Sequence, residues 1–213
     1  MKKLLLSVAL LSSVLMAGAQ TKEKKEEEKS KGFKKENLFT GGSVTLAFYS
    51  GGTTLGASPV FGYRLANWID AGVVVNYTYD SRRDYPYIND KIRQSVYGGG
   101  AFTRIYPVNF LFAQAQFEHN FTTVKYIPEG LGSSNKYKVD ANSLLVGAGY
   151  TQGREPGSNT FFYVAILFDV LKNRNSPYVS EVSGNGTTSI RVNPIYRAGV
   201  NIGLFEGRNS RYR

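Results

Sequence analysis

From about residue 42 the chain is written in alternating apolar and polar positions, and the longest run lies close to its end. Across 189–205 one face reads Ile190, Val192, Pro194, Tyr196, Ala198, Val200, Ile202 and Leu204. The other reads Arg191, Asn193, Ile195, Arg197, Gly199, Asn201 and Gly203. A period of two puts alternate side chains on opposite faces of a β-strand. This run exceeds the ordinary strand of about five or six residues. Segment 69–80 repeats the pattern, with Ile69, Ala71, Val73, Val75, Tyr77 and Tyr79 opposed by Asp70, Gly72, Val74, Asn76, Thr78 and Asp80. In 110–121, Leu111, Ala113, Ala115, Phe117 and Phe121 oppose Gln114, Gln116, Glu118 and Asn120. The whole pattern predicts eight strands, near 42–49, 55–65, 69–80, 93–105, 110–121, 140–152, 160–170 and 188–205. No window of comparable length carries a helical period.

The connectors fall into two classes. Those at 66–68, 106–109 and 153–159 are short, whereas 81–92, 122–139 and 171–187 are long and polar, and 50–54 is brief. Short and long connectors alternate in membrane barrels, with the short turns on the periplasmic side. An even number of strands then predicts both termini in the periplasm. A strand that is apolar outside and polar inside suits such a barrel, because lipid replaces water as the outer solvent. A soluble barrel or sandwich is the competing architecture.

The N-terminus favours the membrane alternative. Residues 1–19 have the three parts of an export signal: Lys2 and Lys3, the apolar run 4–16, and Ala17-Gly18-Ala19 before Gln20. The apolar run falls short of the ~20 residues of a transmembrane helix. Residues 20–37 form a mixed Lys/Glu leader without an apolar face, expected to be solvated and flexible. The predicted barrel occupies 38–205, and 206–213 is a basic tail. The chain has no cysteine, which excludes a lipoprotein signal, disulfides and thiolate metal ligands. Net charge is +10, and removing Lys2 and Lys3 leaves +8. For an exported chain this charge implies anionic lipopolysaccharide or a membrane surface, with nucleic acid excluded. Fifteen tyrosines and thirteen phenylalanines supply interfacial belts. Phe48, Tyr77, Tyr79 and Phe121 are expected at the outer boundary, and Tyr63, Trp68, Tyr106, Phe110 and Tyr150 at the inner one. Pro59 and Pro194, which remove ladder donors, are expected at the outer rim.

An eight-stranded barrel has an interior just filled by side chains. Arg64, Asp70, Arg104, Glu118, Asp169, Arg191 and Arg197 are predicted to face inward. Arg64, Asp70 and Arg104 form a low layer, and Asp169, Arg191 and Glu118 a high one, with Asp169 and Arg191 as neighbours. These charges read as a structural plug, or alternatively as a narrow or gated path for ions or small solutes. Catalysis is not expected: His119 is the only histidine, and its register puts it on the lipid side with Phe117 and Phe121. No cofactor and no metal site is expected. The polar connectors offer surface contacts, with Arg82, Arg83, Tyr85 and Tyr87 in one, and Lys125, Tyr126, Lys136 and Tyr137 in another. They suit an extracellular ligand of unknown chemistry or lipopolysaccharide phosphates.

At these residues the chain resembles the small outer-membrane β-barrel family, like the eight-stranded transmembrane domain of outer-membrane protein A. Gly98-Gly99-Gly100-Ala101-Phe102-Thr103-Arg104-Ile105-Tyr106 is similar to the Gly-rich, Phe-x-Arg-x-Tyr strand of that group. Arg197, Gly199, Ile202, Leu204 and Phe205 resemble the terminal signal read by the barrel assembly machinery, although Glu206–Arg213 continues past the aromatic. The resemblance implies an all-β, eight-stranded antiparallel up-and-down transmembrane barrel in the outer membrane. It implies the assembly machinery as a partner during biogenesis, and it implies no activity.

Overall fold

A computed structural model describes residues 33–49, 51–84, 87–129, 133–155, 158–184 and 187–205. The export signal 1–19, the leader up to residue 32, the tail 206–213 and Tyr85 lie outside the described residues. Ten strands follow in chain order: β1 (Leu38–Tyr49), β2 (Gly52–Ala66), β3 (Ile69–Arg83), β4 (Lys91–Val108), β5 (Leu111–Ile127), β6 (Asn135–Gln152), β7 (Phe161–Asp169), β8 (Val179–Gly184), β9 (Thr187–Val192) and β10 (Ile195–Gly203). Eight of them close an antiparallel barrel in the order β1-β10-β7-β6-β5-β4-β3-β2, and β8 and β9 form a separate hairpin. The fold is therefore the all-β, eight-stranded antiparallel barrel that the alternation predicts.

Two features depart from the sequence reading. The single strand expected over 188–205 is two strands, β9 in the hairpin and β10 in the barrel wall. Pro194 lies between them, where its missing N–H breaks the ladder, and Asn193 N donates to Tyr178 O at 3.0 Å. Of the segments read as long connectors, 122–139 is strand at 122–127 and 135–139, and 81–92 is strand at 81–83 and 91–92. β4 and β6 run for 18 residues and β5 for 17, against the ~9–11 needed to cross a bilayer. β7 and β10 have nine each. One side of the wall thus stands tall, and its outward face there is polar and basic, with Arg93, Lys125, Lys136 and Lys138 exposed. Backbone pairing continues there while the binary pattern that announces a strand does not.

The barrel end that holds Leu38 and Gly203 also carries the tight turns at 67–68 and 109–110, and is termed the near end. Leu204 N donates to Leu38 O there at 3.0 Å. In β7 the alternation is unbroken: Phe161, Tyr163, Ala165, Leu167 and Asp169 are buried, and Phe162, Val164, Ile166 and Phe168 are exposed. Around the rest of the wall Phe61, Val73, Val75, Ile105, Phe117, Val146 and Ile202 stand exposed. So continuous an apolar exterior fits hydrocarbon as the outer solvent. Toward the far end Tyr77, Tyr97 and Phe121 share one register row, with the Tyr97 and Phe121 rings stacked at 5.4 Å. At the near end Phe110 and Tyr150 pair at 6.3 Å. Tyr106, expected in the inner belt, instead points into the lumen and is buried, because Ile105 takes the outward position. Pro59 is opposite Gly42 within the apolar band rather than at the rim. The β2–β3 ladder skips Ser58 and Pro59, as a residue without an N–H requires.

Candidate functional site

The near half of the lumen is packed with rings. Tyr106, Phe112, Phe161 and Tyr163 form one buried cluster, and Phe39, Val60, Val74 and Phe102 another. Glycines on neighbouring strands make room for them. A Cβ on Gly149 would lie 2.3 Å from Phe112 Cζ, and one on Gly62 would lie 2.3 Å from Phe39 Cζ. Arginines lie over these rings. The Arg104 guanidinium is 4.3 Å from the Tyr163 centroid, and that of Arg154 is 3.6 Å from the Tyr106 centroid. Such contacts favour a buried cation whose hydration has been removed.

Asp70 is the carboxylate of this half. Register places it directly opposite Arg64 on β2 and Arg104 on β4, which gathers the low layer expected from sequence. Arg64 Nε and Arg154 Nη2 approach Asp70 Oδ1 at 3.9 and 3.8 Å. These are ion-pair distances without hydrogen-bond geometry. Both arginines also tie down the turns: Arg154 Nη2 donates to Asn67 O at 2.9 Å, and Arg64 Nη2 to Ser158 O at 2.5 Å. Asn159 Nδ2 donates to Glu36 O at 2.7 Å, so Arg154, Ser158 and Asn159 of the β6–β7 connection all bond at the near end.

The far half is organised around Glu118, which is fully buried. Gln116 Nε2 and Arg197 Nη2 donate to Oε1, the latter at 3.1 Å. Tyr178 OH and Asn120 Nδ2 donate to Oε2 at 2.7 and 3.1 Å. Along β5 the inward side chains continue the chain: Gln114 Nε2 donates to Gln116 Oε1 at 2.7 Å, and Arg104 Nε to Gln114 Oε1 at 2.8 Å. The network links across the barrel through Arg104 Nη1 to Asn201 Oδ1 at 3.2 Å, and through Asn76 Nδ2 to Asn120 Oδ1 at 2.7 Å.

Asp169 closes the top. Ser176 Oγ donates to its Oδ2 at 2.6 Å, and the backbone N–H groups of Leu144 and Leu171 donate to Oδ1 at 3.2 and 3.1 Å. These bonds turn the chain after β7 back into the barrel and carry Tyr178 down to Glu118. Arg191, expected beside Asp169 in the lumen, is exposed on β9 opposite Ser180. The correction has one cause: the break at Pro194 puts Arg191 outside the barrel wall. Glu118 correspondingly pairs with Arg197 instead of sharing a layer with Arg191. Above Tyr178 a cavity of about 960 Å³ is lined by Asp80, Arg82, Gln94 and Arg197. It reaches sideways past Val44 and Tyr196, where β1 beyond Val44 has no paired β10 residue.

The surface residues singled out from sequence divide. Arg82 and Arg83 end β3, Lys125 and Tyr126 belong to β5, and Lys136 and Tyr137 to β6, so these are wall rather than loop positions. Tyr87 is exposed in the β3–β4 connection. Arg82 Nε donates to Asp80 Oδ1 at 2.8 Å. Tyr126 OH donates to Asp90, whose other oxygen accepts from Glu129 N at 2.9 Å. That donation holds the Asp90 carboxyl below its usual range and pushes the Tyr126 phenol up. Of the terminal-signal residues, Gly199 lies beneath the Tyr163 ring, Arg197 is inside, and Ile202, Leu204 and Phe205 face outward. His119 is on the outer face against Phe121, its Nδ1 2.7 Å from Asn142 Oδ1. Among the described residues no three His, Cys, Asp or Glu side chains gather as a metal-ligand set. Arg154 and Tyr178 were missed from sequence, whereas Asn76 falls on the polar face read for 69–80. Arg154 and Tyr178 lie in connectors, where alternation gives no orientation.

The chain is similar to two solved structures. Neisserial surface protein A has 12% identity and a TM-score of 0.40, covering 78% of this chain and 95% of that one. The translocator domain of the autotransporter NalP from Neisseria meningitidis has 11% identity and a TM-score of 0.37, covering 90% of this chain and 97% of that one. No family model matches the sequence, and no curated protein does.

Proposed function

We propose that this chain is a non-enzymatic outer-membrane barrel with a closed lumen, serving envelope integrity and contact at the cell surface. Both termini lie on the periplasmic side in this reading, and its far end meets lipopolysaccharide. One observation carries it. The lumen is occupied from Asp70 to Tyr178 by paired charges, edge-packed rings and a hydrogen-bonded column, and connection residues bond across it at both ends. A path for ions needs mobile, solvated groups, whereas Glu118 has its lone pairs taken by four protein donors within 3.1 Å. The apolar exterior between two aromatic rows supports the membrane location. Planar-bilayer recording of the purified chain tests the closed lumen. No steady single-channel steps are expected, and reproducible steps would overturn the proposal in favour of a narrow channel. Gel migration before and after boiling tests the barrel in lipid, since closed membrane barrels run compactly until heated.

A further inference from the structure

The tall wall carries a pattern that neither the lumen nor the apolar band explains. On four adjacent strands the outward positions pass from aromatic or apolar to basic. In β4 they read Tyr97, Ser95, Arg93, Lys91, and in β5 Phe121, Thr123, Lys125. In β3 they run from Tyr77 to Arg83, and in β6 from Leu144 to Lys138 and Lys136. The register puts these cations side by side. Arg83 is directly opposite Lys91, Arg93 opposite Lys125, and Lys125 opposite Lys136. Directly opposed like charges weaken a sheet, and here the repulsion repeats across four strands. None of these residues has an ion-pair partner within 4 Å among the described residues. Asp140, lower on β6, is turned to His119 at 4.0 Å.

From these observations we propose that Arg93, Lys125 and Lys136, flanked by Lys91 and Lys138, form a binding surface for the phosphate groups of lipopolysaccharide. The proposal rests on the outer-membrane reading above and names the partner of that surface. Depth and charge both argue for it. Four residues of tilted strand separate Tyr97 from Arg93, which is roughly 10 Å along the barrel axis. Acyl chains meeting Tyr77, Tyr97 and Phe121 therefore place their phosphorylated headgroups at the basic row. Arginine offers a bidentate fork to phosphate and lysine a mobile point charge. Juxtaposed like charges become favourable once a multivalent anion lies across them.

The test uses the full chain in detergent micelles, titrated with phosphorylated lipid A, with chemically dephosphorylated lipid A, and with phosphatidylglycerol, while bound lipid is read by native mass spectrometry. Arg93→Gln, Lys125→Gln and Lys136→Gln are combined in one variant. The control removes equal charge at Lys172, Arg174 and Arg191, on the segment after β7. Wild type and control are expected to hold phosphorylated lipid A, with the triple variant weaker by at least about tenfold. Equal binding by the triple variant overturns the proposal. So does wild-type binding that ignores the phosphates or accepts phosphatidylglycerol equally, and this arm needs no variant to fold. Failure of the outer-membrane reading shows differently, as loss of compact unboiled migration in wild type.

Discussion

The two halves of the lumen are lined by the same strands and yet are filled by opposite means. Near the termini, Arg104 and Arg154 lie over aromatic rings, and Arg64 and Arg154 approach Asp70 at 3.8–3.9 Å without a hydrogen bond from either. Toward the far end rings give way to Gln114, Gln116, Asn76 and Asn120, and Glu118 is gripped by four donors. The near half holds its arginines by cation–π contacts and by bonds to turn carbonyls, and leaves Asp70 to charge attraction. The far half relies on directional bonds between buried groups, where each lost partner leaves another group unsatisfied. The difference teaches that filling a small barrel is a problem of compensation: any side chain fits if its neighbours replace the water it gave up.

The contrast predicts where the molecule breaks. Removing the hub with Glu118→Ala leaves Arg197 buried without its counter-charge, and leaves Tyr178 OH, Gln116 Nε2 and Asn120 Nδ2 without an acceptor. A loss of about 3–5 kcal/mol is expected. It is measurable by urea unfolding in micelles followed through the single tryptophan, Trp68. A loss below about 1 kcal/mol would mean that solvent already reaches Glu118. Gly149→Val challenges the near half by volume. Its Cβ would meet the Phe112 ring, itself beneath Arg104, and overpacking of this kind costs about 1–3 kcal/mol. The same unfolding assay applies, and Gly153→Ala, in the open at a turn with φ +83, isolates backbone strain from crowding.

How much of this contrast is visible in the sequence depends on which neighbour decides it. Alternation against lipid announced that Arg64, Asp70, Arg104, Glu118 and Arg197 face inward, because a period of two fixes parity. It could not choose among partners. Glu118 and Arg197 are 79 positions apart, and the stagger of the closed barrel determines which residues share a level. β7 offers less: both of its faces are apolar, and Asp169 alone marks the inward parity that Phe161 and Tyr163 share. Arg191 was misplaced because the alternation runs through Pro194 unbroken while the backbone ladder does not. The overrun of β3–β6 was illegible because its outward face turns to Ser, Thr, Lys and Arg and so loses the apolar signal, although the strands go on pairing.

A finer comparison concerns coupling rather than stability. In double-mutant cycles, Glu118 with Arg197 should couple more strongly than Asp70 with Arg154, since the first pair is hydrogen-bonded at 3.1 Å and the second is not at 3.8 Å. The coupling energies should differ by about 1 kcal/mol or more. Alanine at each position, singly and together, supplies both cycles. Equal couplings would show that charge alone governs the lumen and that bond geometry adds nothing.

The smallest effect lies in the β3–β4 connection, where another buried carboxylate is held by two donors. Asp90 accepts from Tyr126 OH and Glu129 N, and its own N–H and carbonyl hold Tyr87 and Asp84 in the β3–β4 connection. Its folded pKa lies below the ordinary value, chiefly through the Tyr126 bond. A depressed carboxyl contributes its stabilisation fully above the unfolded pKa of about 4, and that contribution fades as pH falls through the folded value. Tyr126 has the opposite sign: its pKa is raised by the same bond, so its share is intact below about 10 and is lost at higher pH. The connection should therefore be most protected between these limits. Hydrogen exchange across 84–90 and 126–129, corrected for intrinsic rates, is expected to quicken below about pH 4. Barrel strands should not follow. Asp90→Asn should flatten the acidic limb while leaving the far half of the lumen unchanged. An acidic limb that survives in Asp90→Asn would assign it to another carboxylate, and a wild type without one would show that water supplies what Tyr126 and Glu129 donate.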